Sequence, residues 1–122
     1  MKVGKDQIGA YLPHRAPFIM VDNLIDATEN RFETNFQVLP ENIFLEDGQL
    51  REFALIENIA QSSAAGIAFL NSSASSKPKD GLIGGISKLI VHAFPKVNDI
   101  IYTVVIKLHQ LGKCEILFGF LG

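Results

Sequence analysis

Between residues 50 and 71 the chain has no proline and a single glycine, Gly66, and good helix formers dominate. One long helix is predicted there. Phe53, Ile56, Ala60, Ala64 and Ile67 recur at three- and four-residue steps, while Leu55, Ile59 and Leu70 place apolar groups on other faces. Such a helix is expected to be buried nearly all round, and only a wrapping sheet or a membrane could cover it. Its length would span a bilayer, but Glu57, Asn58, Gln61 and the small Ala, Ser and Gly positions suit lipid poorly. The expectation is therefore an α+β domain, with this helix on the concave face of an antiparallel sheet and no membrane partner.

The rest of the chain supplies the strands. Residues 6–11 could form a short helix that ends at Leu12-Pro13, because the residue before a proline is pushed out of the helical region. Residues 18–26 and 31–38 read as extended runs flanking the polar turn Ala27-Thr28-Glu29-Asn30. Residues 40–49 read as an irregular loop with a turn at Asp47-Gly48, and the Ser/Lys/Pro tract 71–80 as an exposed connection. Residues 82–93, 100–108 and 114–121 complete the set of strands. No repeat is present, and residues 1–122 are expected to form a single domain.

Composition limits the function. The chain is 48% hydrophobic and only 20% charged, so part of its apolar surface is expected to meet another subunit. A formal charge of -2, with no basic run, offers no footprint for nucleic acid. Lys2, Lys5 and Asp6 interrupt the place where a signal peptide would need its apolar stretch, and the lone Cys114 cannot form an internal disulfide. A reducing, cytoplasmic location is expected. No Cys/His cluster has metal-ligand spacing, and neither a metal nor another cofactor is implied.

Glu57 is the one charged residue between Phe53 and Ser76, on the same seam as Phe53, Ala60 and Ala64. A carboxylate there must find hydrogen bonds, take up a proton or line a solvent-reachable cavity. The last would make it a site, whereas pairing with Gln61 one turn on, or pointing to solvent, would make it structural.

Four segments carry a family resemblance. Leu12-Pro13-His14-Arg15-Ala16-Pro17-Phe18-Ile19-Met20-Val21-Asp22 resembles the LPHRxPFxxVD opening of β-hydroxyacyl-ACP dehydratases, which have the hot-dog fold. Glu57-Asn58-Ile59-Ala60-Gln61 resembles their ExxAQ segment on the central helix, and Gly84-Gly85-Ile86-Ser87-Lys88-Leu89 the glycine-led strand that follows. Asn42-Ile43-Phe44-Leu45-Glu46-Asp47-Gly48-Gln49-Leu50 is similar to the H-P-F-x-x-x-G-x-L loop of an aryl-polyene-type branch.

The resemblance implies an acyl thioester, carried by acyl carrier protein or CoA, in fatty-acid or polyene-type metabolism. It makes Glu57 the acid of the central helix, works it with a histidine lent by a partner subunit, and places the donor of the thioester oxyanion at Glu52 and Phe53. Gln61, Gly85 and Ile86 would line the substrate. The histidine position falls on Asn42, or on Ile43 if the loop is aligned without a gap, and neither can exchange a proton near neutral pH. Glu52 stands where the family has a small residue.

His14 belongs to the opening motif, where an orienting hydrogen-bond role is expected. His92 and His109 read as strand residues, Cys114 as core, and Lys77, Lys79 and Lys96 as solvated loop charges or contacts for an acidic carrier protein. Three functions fit: a dehydratase-group acyl-thioester binder, a thioesterase acting through Glu57 alone, and a non-catalytic partner subunit of a heteromeric dehydratase. The family pattern continues past Leu121 into one more strand, so an open, apolar edge predicts a homodimer, a higher homo-oligomer or a heterodimer with a histidine-bearing homologue.

Overall fold

A computed structural model describes residues 1–73, 93–107 and 114–121. A 3-10 turn at Ile8–Tyr11 is followed by strands β1 (Asn23–Thr28) and β2 (Arg31–Gln37), and then by two short strands, β3 (Leu45–Glu46) and β4 (Gln49–Leu50). Helix α1 (Glu52–Ser73) follows, and β5 (Ile100–Lys107) and β6 (Cys114–Leu121) come after it. The four long strands form an antiparallel sheet in the order β1-β2-β5-β6. Helix α1 lies against β1, β2 and β5. The expected α+β arrangement of one long helix on an antiparallel sheet is what forms. The strand expected over residues 82–93 lies outside the described residues, apart from Ala93.

Local chemistry explains the boundaries. Leu12 adopts an extended conformation before Pro13 and ends the 3-10 turn. Asp47 and Gly48 both have positive φ, 53° and 79°, the conformation that a two-residue hairpin requires, so part of the expected loop is the β3-β4 hairpin. The first strand begins later than its apolar run suggests, at Asn23 rather than at residue 18. The backbone of Phe18 and Met20 bonds instead to side chains of α1.

Inward-facing residues form two apolar clusters with a polar belt between them. Around the first half of α1, Ala54 and Leu55 pack with Met20, Phe36, Val38, Leu50 and Ile101. Further along the helix, Ala65 packs with Val3, Ile8, Leu12, Val21, Leu24, Ala27, Phe32 and Val105. Strand alternation places Thr34 between Phe32 and Phe36, and its cross-strand partner Thr103 between Ile101 and Val105. Asn58, Gln61 and Ser62 of α1 meet that level, all fully buried. Every one of them is hydrogen-bonded, as buried polar groups must be.

This arrangement corrects the expectation of a helix buried nearly all round. The stripe of Phe53, Ile56 and Ala60 faces outward, with Phe53 62% exposed, and the opposite face, carrying Leu55, Asn58 and Ser62, is the buried one, with Gln61 and Ser63 buried on its flanks. Periodicity records apolarity alone, whereas these polar side chains enter the core because the sheet and the 18–20 segment supply their partners.

Candidate active site

Glu57 lies halfway round α1 between the buried belt and the exposed stripe, with its side chain 28% exposed. Gln61, one turn on, donates from Nε2 to Glu57 Oε2 at 3.3 Å and to the Phe18 carbonyl at 3.0 Å. Gln61 Oε1 accepts the Met20 N–H at 2.7 Å. Asn58 Nδ2 donates to the Met20 carbonyl at 2.8 Å, and its Oδ1 accepts the Thr103 hydroxyl at 2.6 Å. Two helix side chains therefore fasten both backbone groups of Met20 and fix the path of the opening motif across Glu57.

That path brings His14 to the carboxylate, with Nε2 3.7 Å from Glu57 Oε2. Arg15 holds the preceding turn, since its guanidinium donates to the carbonyls of Gly9, Leu12 and His14 at 3.2, 3.0 and 2.8 Å. The two motifs do not by themselves show the approach of His14 to Glu57. Their separation along the chain hides it.

An aromatic lip borders the site. Phe44 lies 6.4 Å from Phe18 and 5.7 Å from Phe53 between ring centroids. Asn42 lies beside this lip: its Oδ1 accepts the Phe44 N–H at 2.8 Å, and its Nδ2 approaches the Met20 sulfur at 3.5 Å. The Asn42 amide, which the resemblance sets at a histidine position, thus closes a local turn. At the helix start, the Glu52 carboxyl is held below the usual carboxylate range by its own backbone N–H and by Arg51, whose guanidinium also stacks 4.5 Å from the Phe94 ring. The chain's own negative charge thereby engages a donor at the helix N-terminus.

Asp22, the last residue of the opening motif, has its carboxyl pushed up by burial, against the lowering effects of the Gln37 N–H and of Lys5. Gly85 and Ile86 lie outside the described residues. Among the described residues, no three His, Cys, Asp or Glu side chains gather as a metal site would need.

Comparison with known proteins gives the family. No curated protein matches the chain. Among solved structures, it is similar to the dehydratase heterocomplex ApeI:P from Xenorhabdus doucetiae, with a TM-score of 0.72 and 21% identity over 94% of this chain and 82% of that one. At that identity the likeness speaks for the fold, a hot-dog dehydratase fold. Over residues 6–110 the sequence matches the ApeP-like family, described as ApeP dehydratase. On a match of that extent, the chain belongs to the ApeP-like dehydratase family.

Proposed function

We propose that this chain binds 3-hydroxyacyl thioesters on a carrier protein, and that it acts as one subunit of a heteromeric dehydratase in which Glu57 is the acid-base group and a histidine-bearing homologue completes the site. The bond from Gln61 is the pairing that would by itself make Glu57 structural; the observation that carries this reading is instead the placement of Glu57, its side chain 28% exposed at the border of an exposed apolar stripe. In the elimination, the partner's histidine takes the proton α to the thioester carbonyl and the new C=C bond forms. The C3–O bond breaks, and Glu57 in its protonated form gives its proton to the departing hydroxyl, which leaves as water. Asn42 cannot take the histidine's part, because an amide does not exchange a proton near neutral pH. The heteromeric character of the similar solved structure supports a heteromeric assembly.

The test is turnover of a 3-hydroxyacyl thioester by the chain alone and with a histidine-bearing homologue, with Glu57→Gln alongside. A missing acid-base partner is worth roughly two to four orders of magnitude, so the chain alone should be slower by about that much. Robust dehydration by the pure chain would overturn the heteromeric reading. Hydrolysis of a saturated acyl thioester, lost in Glu57→Gln, would favour a thioesterase instead.

A further inference from the structure

We infer that His14 is a positioning residue for Glu57: together with Gln61 it secures one carboxylate oxygen, Oε2, and leaves Oε1 as the oxygen that exchanges a proton with substrate. This rests on the reading of Glu57 as the acid-base group.

Both polar contacts of the Glu57 carboxylate fall on Oε2, the Gln61 amide at 3.3 Å and His14 Nε2 at 3.7 Å. Among the described residues, Oε1 has no hydrogen-bond partner. A carboxylate anchored through one oxygen can turn about its terminal torsion, which is broad and soft. A second donor on the same oxygen, arriving from a different element, restricts that turning and aims Oε1 at the site. The imidazole is itself well placed to do this, since Arg15 fixes the carbonyl of His14 and Gln61 fixes Phe18 four residues on.

The other imidazole nitrogen identifies the tautomer. Nδ1 of His14 is buried and has no hydrogen-bond partner among the described residues. An imidazole with a buried, unpartnered nitrogen is better off leaving it as a bare lone pair than burying an unpaired N–H, so the ring proton belongs on Nε2, facing Glu57. At 3.7 Å the contact is longer than a hydrogen bond, as contacts of catalytic groups often are in the absence of substrate.

The experiment uses the full chain in its active assembly, with three variants and one spectroscopic readout. Loss of a group that orients an acid-base residue typically costs on the order of ten- to a hundredfold, so His14→Phe should lower kcat by about that much and leave KM within about threefold. His14→Gln, which keeps an N–H donor but cannot exchange a proton, should recover most of kcat. Imidazole 15N spectra should show the proton on Nε2, with a resonance that shifts in Glu57→Gln. The assignment is overturned if His14→Phe retains full kcat while Glu57→Gln is inactive, or if the His14 resonances are the same in Glu57→Gln. It is also overturned if His14→Gln is as poor as His14→Phe, which would make the imidazole itself a proton carrier. Full activity in Glu57→Gln would instead overturn the acid-base reading, and this assignment with it.

Discussion

The Met20 N–H donates to Gln61 Oε1 across 2.7 Å, joining the opening motif to the middle of the central helix. The bond is buried, and the same amide side chain also reaches Phe18 and Glu57. Gln61→Leu would strand the Met20 N–H without water or partner, at a cost of about 1–3 kcal/mol that the added apolar burial offsets only in part. A lower urea midpoint with an unchanged m value is expected. A midpoint equal to that of the wild type would show that the segment re-forms its bonds elsewhere.

Gly66 is required by its neighbour. A Cβ built at this position would come far inside van der Waals contact with the Phe32 ring. In an exposed helix, Gly→Ala stabilises by about 1 kcal/mol, but overpacking a filled core costs about 1–3 kcal/mol, so Gly66→Ala should be destabilising on balance. Phe32→Leu, which costs stability alone, should cost less in the Gly66→Ala background. A double-mutant cycle by chemical denaturation measures that coupling, and additive effects would place the Gly66 constraint elsewhere.

These two sites show where the sequence is readable. The long helix, the hairpin around residue 29 and the strands over 100–107 and 114–121 follow from local pattern, because proline, turn residues and apolar runs act within a few positions. The helix's inner face does not follow. Asn58 and Gln61 enter the core only because Thr103 and the backbone of residues 18–20 meet them there, about forty residues away in sequence. For the same reason helical spacing offers Gln61 as a partner of Glu57 one turn away, while the arrival of His14 at the same carboxylate oxygen is a property of the fold.

Asp22 links stability to pH. Burial raises its carboxyl in the folded protein, so between the unfolded value near 3.9 and the higher folded value the native state holds more protons than the unfolded one. Stability contributed by this group therefore falls as pH rises through that window, and the penalty persists above it. In Asp22→Asn the amide oxygen can still accept the Gln37 N–H. The variant should match the wild type below about pH 4 and gain on it progressively above that. Denaturation of both proteins from pH 3 to 8 tests this, and a difference that shrinks with rising pH would reverse the sign.

The exposed stripe of α1 bears on assembly. Phe53 is continuous with Phe44 and Phe18 through ring contacts, Phe18 is 52% exposed, and Ile43 beside Phe44 is 48% exposed. Ile56, one helical step from Phe53, adds to the same face, and Glu57 sits at its edge. A surface of this kind is suited to burial against another subunit. Phe53→Glu should hardly change the stability of the unassociated chain, where surface substitutions are usually worth within about 0.5 kcal/mol. In a complex it would forfeit about 2 kcal/mol of apolar burial and add the cost of a desolvated charge, and each 1.4 kcal/mol is a factor of about ten in Kd. Sedimentation velocity at micromolar concentration, with and without the histidine-bearing homologue, should show a complex for the wild type and a shift toward free chain for Phe53→Glu. A variant that associates as tightly as the wild type would place the interface on another face, and would separate Glu57 from any residue the partner supplies.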